Sequence, residues 1–518
     1  MRRLTGAGAA IALACIAAPA ADAAPIGPVP GLPAEALPVM NQPAYGHSSW
    51  NIAVRDAATG ASVISLNSDL MVQPASVVKT YSAGAAWLQF GPESRVTTPV
   101  KRSGRLTRGT LRGNLILVGK GDMTMDGRTN ADGTVDFANL DHNDANEIPG
   151  ATLTSGNPLR GLDRLARQVR RSGIRRVSGN VIVDDRLWET SHLENGPVTP
   201  IAINENLIDF VTKPGRVGQI ATQTMMRPKV APWRVISEVR TVAADGRTRI
   251  AVSSPRHGLV VLSGTITANS GPVVNTYAFE DPARFARTAF VEALGRAGVK
   301  VGADPVAANP ERLLPSRAAT ERLRTVARLR SLPLREEATY VLKVSYNRGG
   351  QLLICRLAVA AGSSDCDDGL AKAQQIWAAA GLDTDGAVLK DGSGLTGNLV
   401  TVENQAQLQA IMNKRPDAAA WQATLPILGV DGSLARVQAN TPAAGRVFAK
   451  TGTLGDWDGF NRRFVLPTKA LGGVMDTRGG RRFTFAIVVT NSIFPDLQGL
   501  FAANDDVGKV AALIQQGY

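Results

Sequence analysis

A serine and a lysine stand three residues apart near the front of the chain, in the stretch QPASVVKT at residues 73–80. Positions i and i+3 of a helix lie on one face, so the amine of Lys79 can reach the hydroxyl of Ser76. A lysine buried in a cleft has a lowered pKa, which would let its neutral amine take the serine proton. At a helix N-terminus, backbone N–H groups would also face the resulting oxyanion. The spacing predicts a serine nucleophile that works without histidine.

Two later motifs strengthen this interpretation, because one or two S-x-x-K matches are expected by chance in a chain this long. Ser345-Tyr346-Asn347 follows a predicted helix and could supply a hydroxyl for proton transfer and an amide for a substrate backbone. The K-T-G-T sequence at residues 450–453 falls on a predicted strand. There a glycine permits close backbone approach, and lysine and threonine side chains can bind a carboxylate.

Other chemistries find less support in the sequence. No histidine stands in a G-x-S-x-G elbow, so a Ser-His-Asp triad is unsupported. We interpret all four histidines as exposed surface residues: His47, His142, His192 and His257. No H-E-x-x-H motif occurs, and the glycine-rich residues 119–122 lack the spacing of a phosphate loop. The sequence therefore predicts neither a metal site nor a cofactor.

Elements at both ends of the chain must come together to hold these motifs. Residues 50–54 alternate apolar and polar side chains, and with residues 62–66 they predict a hairpin. A helix is predicted from residue 73 through Trp87, since proline is favoured in a first helical turn. Apolar patterns predict strands at residues 446–450, 462–466 and 483–489, and helices at residues 281–299, 334–344 and 351–361.

The chain divides into several lobes, because 518 residues exceed the usual size of a single core. In residues 94–276, short apolar strands alternate with Gly and Pro turns around one predicted helix at residues 162–172. We predict a discontinuous α/β domain, residues 24–93 and 277–518. One or two mainly β lobes at residues 94–276 interrupt it. Within them, residues 122–156 are interpreted as a long surface loop.

The first 23 residues predict an export signal. Two arginines precede an apolar run at residues 9–18, and residues 21–23 fit an A-x-A cleavage site. The run is shorter than the roughly 20 residues of a membrane-spanning helix, so we expect cleavage near Ala23 and a protein of the periplasm or cell envelope. Loss of the signal changes the net charge from +13 to +12. A basic surface suits anionic wall polymer or acidic lipid, although an arginine-rich composition alone explains the charge equally well.

Cys355 and Cys366 are the cysteines that remain after cleavage. They stand 11 residues apart, and an oxidising compartment favours a local disulfide over free thiols. The neighbouring sequence offers too few ligands for a metal site.

The order S-x-x-K, S-x-N, K-T-G is similar to that of the penicillin-recognising serine enzymes. The wide gap between Ser76 and Ser345 resembles the S13-type D-alanyl-D-alanine carboxypeptidases, also called class C low-molecular-mass penicillin-binding proteins, which carry accessory domains between these motifs. Further stretches that resemble this family are spread over essentially the whole mature chain, at residues 173–185, 202–206, 391–395, 425–434 and 441–454. The resemblance implies a penicillin-binding-protein and β-lactamase-like transpeptidase fold for the discontinuous domain, with an antiparallel sheet flanked by helices. It also implies that the insert consists of two nested, mainly β lobes.

The resemblance also implies a two-step acyl transfer. Ser76 would be the acylated nucleophile and Lys79 its general base. Ser345 would relay a proton to the leaving D-alanine, after which water would release the shortened peptide. The implied substrates are peptidoglycan stem peptides ending in D-Ala-D-Ala. Cross-linked peptides would be cleaved by a D,D-endopeptidase activity, and β-lactams would be covalent inhibitors.

Four further residues would bind the substrate, according to the same resemblance. Asn347 would hold the peptide amide, while Lys450 would polarise Ser345 and help to bind the terminal carboxylate. Thr451 and Thr453 would line the carboxylate pocket. The backbone N–H of Thr453 would form the oxyanion hole together with that of the nucleophilic serine.

The chain departs from the family pattern at three places. S-Y-N replaces the usual S-D-N, residues 121–124 read G-D-M-T in place of G-D-P-T, and the helix after Asn347 contains Arg348-Gly349-Gly350. None of these changes removes a catalytic group.

Asp184 and Asp185 could face a diaminopimelate side chain of the substrate, according to the same resemblance. We favour the simpler interpretation that they form a turn after a strand.

Two alternatives remain open at this stage. A β-lactamase would share the serine chemistry but would need a water-activating carboxylate, which no sequence feature identifies. A wall-binding scaffold protein with weakened catalysis would explain S-Y-N and the long loop, but not the retention of all the catalytic groups. Nucleic acid is not an expected partner, since no recognised module occurs. Association with a membrane is expected to be loose at most.

Overall fold

The computed structural model describes residues 25–518. The predicted export signal, residues 1–23, lies outside the described residues. The Pro, Ala and Gly content of residues 24–46 predicts an extended arm, but this part of the chain contains the short helical turns Ala34–Ala36, Leu37–Met40 and Pro43–Tyr45. Within the described chain, no helix is both long enough and apolar enough to cross a membrane.

A five-stranded antiparallel sheet joins the two ends of the chain. The predicted front hairpin is present, and its first strand, Ser49–Asp56, pairs along its whole length with Arg482–Phe494. The predicted C-terminal strands are present too, and each is longer than expected. From one edge to the other, the strands are Ser62–Leu66, Ser49–Asp56, Arg482–Phe494, Arg463–Asp476 and Val447–Asp458.

The alternating pattern of the front strand places its side chains on both faces of this sheet. Trp50, Ile52 and Val54 share a core with the C-terminal helix Gln498–Gly517. On the opposite face, Ala53 and its small neighbours pack beneath helix Val402–Asn413. Both faces are therefore covered, as the apolar C-terminal strand predicts.

A layer of helices surrounds the element that carries Ser76 and Lys79. Helix Lys79–Phe90 lies at its centre and contacts the helices Leu334–Lys343, Asn347–Ala360 and Asp367–Ala379. Helix Ala418–Thr424 packs on Leu334–Lys343 at the rim. A two-stranded sheet, Ala387–Val388 with Leu399–Val400, completes the domain.

The outer lobe of the insert combines helices with two small sheets. One sheet consists of Arg324–Arg330, Thr97–Arg102, Leu115–Val118 and Val181–Asp184; the other consists of Lys300–Val301, Arg176–Val177, Thr110–Arg112 and Arg105–Thr107. The helices are Arg160–Arg171, Pro282–Arg296 and Arg317–Arg322. This lobe is therefore less purely β than we predicted.

The inner lobe is all β and is nested within the outer one. Its first sheet consists of Thr222–Arg227, Leu207–Lys213 and Val273–Ala278; its second consists of Arg234–Ser237, Leu259–Thr267, Arg240–Val242 and Arg249–Arg256. A separate hairpin, Ser191–Leu193 with Gly196–Val198, leads toward this lobe.

The insert extends beyond the predicted boundary at residue 276. Helix Pro282–Arg296, which we assigned to the α/β domain, packs against helix Arg160–Arg171 and belongs to the core of the insert. Strand Arg324–Arg330 pairs with Thr97–Arg102, the first strand of the insert. We therefore place the return to the α/β domain after residue 331.

A disulfide joins Cys355 to Cys366, as the sequence favours, with an S–S distance of 2.05 Å. Replacement of both cysteines with alanine is expected to lower the free energy of unfolding of the α/β domain by about 2–3 kcal/mol, because the bond closes a short loop in the unfolded chain. Urea unfolding followed by tryptophan fluorescence measures the change, since Trp377 is buried on the adjoining helix. Wild-type protein in reductant should match the variant, and equal stability with and without the bond would contradict the expectation.

Candidate active site

Ser76 lies in one turn of 3₁₀ helix, Ala75–Val78, that runs directly into helix Lys79–Phe90. The lysine side chain is fully buried and turns back toward the serine. Its Nζ lies 2.7 Å from the Ser76 Oγ. The structure therefore brings together the two groups that the S-x-x-K spacing places on one face.

Two further acceptors surround the Lys79 amine. Nζ lies 2.6 Å from Oδ1 of Asn347 and 2.7 Å from the carbonyl oxygen of Ser393. Burial lowers the pKa of Lys79 to about 7, although the carboxylates of Asp144 and Asp391 act in the opposite direction. Above that pH the amine is mostly neutral, and its lone pair can accept the Ser76 hydroxyl proton while its two N–H groups serve the other acceptors.

Ser345 and Asn347 flank a tight turn between helices Leu334–Lys343 and Asn347–Ala360. Ser345 has a φ of 63°, in the left-handed region. Tyr346, between the two motif residues, points into the core, where its ring centroid lies 5.2 Å from that of Tyr340. The S-Y-N departure therefore changes the packing beneath the cleft and leaves the two polar groups in place.

The K-T-G-T motif occupies the edge strand Val447–Asp458 of the five-stranded sheet, as predicted. The buried Lys450 donates to the Ser345 Oγ at 3.0 Å and to the carbonyl oxygen of Thr451 at 2.7 Å. A Cβ atom on Gly452 would lie 2.3 Å from the carbonyl oxygen of Pro74, so only glycine allows this strand to approach the serine turn so closely.

Sequence reasoning missed the carbonyl group of Ser393 as a hydrogen-bond partner of Lys79. The carboxylate of Asp391 accepts the backbone N–H groups of Ser393 and Gly394, at 2.6 and 2.7 Å, and so fixes this loop. Gly394 has a φ of 91°, and a Cβ atom there would lie 1.9 Å from the carbonyl oxygen of Ala75. The D-G-S-G sequence signals a tight turn but carries no sign of its partner.

The motifs meet at a cleft of about 1200 Å³ between the α/β domain and the insert. Five of the predicted site residues line it: Ser76, Ser345, Asn347, Thr451 and Thr453. The remaining two, Lys79 and Lys450, are buried directly behind the serines to which they donate. All seven predicted site residues thus gather at one place.

Acidic side chains from the insert form the opposite wall of the cleft. They are Asp141, Asp144, Glu147 and Glu194. Burial, reinforced by the charge of Glu147, raises the pKa of Asp144 to about 7. Asp184 and Asp185, which we considered as groups facing the substrate, do not line this cleft; Asp184 instead pairs with Arg186 at 2.8 Å.

His142 is buried, and our interpretation of it as an exposed residue is wrong. Its Nδ1 lies 2.6 Å from a carboxylate oxygen of Asp209, and its Nε2 lies 2.8 Å from Glu205. Burial alone would lower the pKa of His142, but the carboxylates of Asp209 and Asp141 raise it to about 9. The neighbouring Arg128 contacts Asp141 through two bonds of 2.8 Å. Carboxylates distant in sequence thus provide the partners that keep this histidine charged inside the protein.

Residues 122–156 do not form the surface loop that we predicted, because their side chains contact both the insert and the α/β domain. Arg128 also reaches Glu205 at 2.9 Å, which ties the segment to the insert. On the other side, Asn143 donates to the hydroxyl of Tyr340 at 2.7 Å, which ties it to the α/β domain. Much of the segment is buried, and it forms a fixed wall of the cleft.

The cleft also contains a lysine that sequence reasoning did not identify. Lys469 lies on strand Arg463–Asp476, directly opposite Thr453 in the sheet. Its Nζ donates to the Thr453 Oγ1 at 2.7 Å, and burial lowers its pKa to about 7. Burial, together with the charges of Lys79 and Lys469, holds the pKa of Lys450 well below its usual range.

An antiparallel sheet between helical layers, with a serine in contact with a buried lysine and a K-T-G-T edge strand, is typical of the penicillin-binding-protein and β-lactamase-like class of serine enzymes. Within it, the profile of the D-Ala-D-Ala carboxypeptidase 3 (S13) family matches residues 35–503. The chain belongs to this family, so the predicted family, fold class and enzyme class of serine D-Ala-D-Ala carboxypeptidase are confirmed.

Individual relatives agree with this assignment. A D-alanyl-D-alanine carboxypeptidase from Actinomadura sp. (strain R39) is 27% identical over 443 residues, which cover 80% of this chain and 75% of the relative. Carboxypeptidase DacB from Mycolicibacterium smegmatis (strain ATCC 700084 / mc(2)155) is 26% identical over 449 residues, covering 85% and 76%. The crystal structure of penicillin binding protein 4 (dacB) from Haemophilus influenzae superimposes with a TM-score of 0.70 at 19% identity, covering 94% of this chain and 98% of that one.

Proposed function

We propose that the protein hydrolyses the terminal D-Ala-D-Ala bond of peptidoglycan stem peptides through an acyl-enzyme on Ser76. The observation that carries this proposal is the contact between the Lys79 amine and the Ser76 hydroxyl, 2.7 Å apart in a buried position. Burial removes the usual preference of a lysine for its charged form, and the neutral amine can then act as a general base.

In the first step, the Ser76 oxygen attacks the carbonyl carbon of the penultimate D-alanine, and its proton passes to Lys79. The negative charge that develops on the carbonyl oxygen is stabilised by the backbone N–H groups of Ser76 and Thr453. The peptide C–N bond then breaks, and the D-alanine amine takes a proton through the hydroxyl of Ser345. Lys450 orients that hydroxyl, which lies 3.0 Å from its amine.

In the second step, water attacks the ester carbon and gives its proton to Lys79. The ester C–O bond breaks, the Ser76 oxygen recovers a proton, and the shortened peptide leaves. Asn347 lies beside both the catalytic lysine and the cleft, in a position to hold the peptide amide. The hydroxyl groups of Thr451 and Thr453 face the terminal carboxylate.

The acidic side chains in the wall of the cleft favour stem peptides that carry a positive charge. The carboxyl groups of Asp144, Glu147 and Glu194 face the space through which the rest of a substrate must extend. A stem peptide with a free amine on its diamino acid would complement them. Because the cleft is open, we also propose D,D-endopeptidase activity on cross-linked peptides. We further propose that the protein acts in the periplasm or cell envelope, because residues 1–23 predict an export signal.

Benzylpenicillin tests the proposal directly. We expect an adduct of the mass of the intact drug on the purified mature protein, located by peptide mapping to the peptide that contains Ser76. Release of the adduct should be slow, because within residues 25–518 no carboxylate is hydrogen-bonded to the Ser76 hydroxyl to activate water there. Fast release would favour a β-lactamase, and a folded sample without any adduct would favour the scaffold protein.

A further inference from the structure

Lys469 is buried, and within residues 25–518 no carboxylate forms an ion pair with its amine. Only 3% of the residue is exposed. The hydroxyl oxygen of Thr453 is its one side-chain acceptor in the same part of the chain. Lys343 offers a contrast, because this equally buried lysine is paired with the carboxylate of Asp431 at 2.7 Å.

The surroundings of Lys469 make the lack of an anion costly. In their protonated forms Lys469 and Lys79 both act on Lys450, so three buried amines that repel one another when charged converge on the cleft. Burying a charge is unfavourable unless it is paired, and like charges nearby disfavour it further. An anion that enters the cleft would relieve both effects and would be bound more strongly for that reason.

The geometry also indicates where such an anion would bind. Lys469 stands opposite Thr453 on the neighbouring strand, and both side chains line the same cleft as Thr451. The Oγ1 of Thr451 lies 2.7 Å from the Oγ of Ser433, which leaves a hydroxyl pair at the edge of this position. Two lysine amines and threonine hydroxyls together can hold a carboxylate with charge-assisted hydrogen bonds.

We propose that Lys469 is a specificity-determining residue that binds the terminal carboxylate of the substrate from the second strand of the sheet. The inference rests on the proposed function, since it assigns the carboxylate to a D-Ala-D-Ala peptide. Lys450 and Lys469 then approach the carboxylate from adjacent strands, and Lys469 keeps the Thr453 side chain turned toward it. A substrate without this negative charge gains nothing from Lys469.

The test compares two peptides that differ only in this charge: one ending in D-Ala-D-Ala and the same peptide with a C-terminal amide. The readouts are kcat/KM for each peptide, and Kd from calorimetric titration of the Ser76→Ala variant. In Lys469→Gln, which keeps a hydrogen-bond donor and loses the charge, we expect kcat/KM for the carboxylate peptide to fall about 10- to 100-fold. The amide peptide should change by less than about twofold, and Lys469→Arg should retain most of the preference for the carboxylate.

Two results would overturn the assignment. An equal loss for both peptides would mean that Lys469 acts only on the structure around Thr453, and an unchanged ratio would mean that it does not contact the carboxylate. A wild-type protein that cleaves neither peptide would count against the proposed function. In that case, the ratio of the two Kd values, measured with and without Lys469→Gln, still decides the inference by itself.

Discussion

Replacement of Ser76 with alanine is expected to abolish acylation by a fluorescent penicillin and to lower kcat for a D-Ala-D-Ala peptide by roughly 10⁴- to 10⁶-fold. The alanine variant has no oxygen to form the ester, and no other hydroxyl lies within contact distance of the Lys79 amine in the described chain. Gel fluorescence and intact mass measure the adduct, and release of D-alanine measures turnover.

Ser82→Ala is a matched control for this experiment. Ser82 is buried on the same helix, and its hydroxyl donates to the carbonyl oxygen of Gly392 at 2.7 Å. Its loss should cost about 1 kcal/mol of stability and leave acylation intact. Undiminished labelling of the Ser76→Ala variant would refute the assignment of the nucleophile.

The second large effect concerns the protonation of Lys79. In the wild type, the rate of acylation is expected to rise with pH through about 7 and then to level off, because the amine must be neutral to accept the serine proton and burial lowers its pKa to about 7. Arginine stays protonated in proteins at all these pH values. Lys79→Arg should therefore lower the plateau rate about 10²- to 10⁴-fold and remove this pH dependence. Rate constants measured with a fluorescent penicillin between pH 5 and pH 10 test both expectations.

Lys343→Arg provides the control, because Lys343 is buried and charged but lies outside the cleft, in an ion pair with Asp431. That variant should keep the wild-type pH profile. A wild-type rate that stays constant down to pH 5 would show that Lys79 is not the base.

The residues that we propose as catalytic could be predicted to lie together because each belongs to a short motif whose spacing has a local meaning. Ser76 and Lys79 are one helical turn apart, and Lys450 lies on a strand whose glycine marks a close approach. Lys469 offers no such signal: an isolated lysine on a strand has the same local pattern whether it faces water or a cleft. Its position follows only from the pairing of Thr453 with Lys469, which is a tertiary contact.

The incorrect predictions for His142 and for helix Pro282–Arg296 have the same physical cause: the partners of both come from distant parts of the chain. The burial of His142 depends on carboxylates 63 and 67 residues further along the chain, so no local pattern shows that its charge is compensated. Helix Pro282–Arg296 has one apolar face, and that face does not reveal which lobe it will cover. The boundary predicted at residue 276 was wrong for this reason. The apolar periodicity correctly located the helix itself, which begins after Asp281.

The paired strands at the base of the insert have a consequence for the order of folding. The first strand of the α/β domain must find Arg482–Phe494 across most of the chain, and contacts so distant in sequence form slowly. Because Thr97–Arg102 pairs with Arg324–Arg330, a folded insert brings its own two ends side by side. The backbone of Val96 then meets Ser331 across 235 residues. By closing that gap first, the insert would roughly halve the loop that the sheet must close, and each halving lowers the closure cost by about 0.6 kcal/mol. We expect the accessory lobes to become structured before the catalytic cleft that they interrupt.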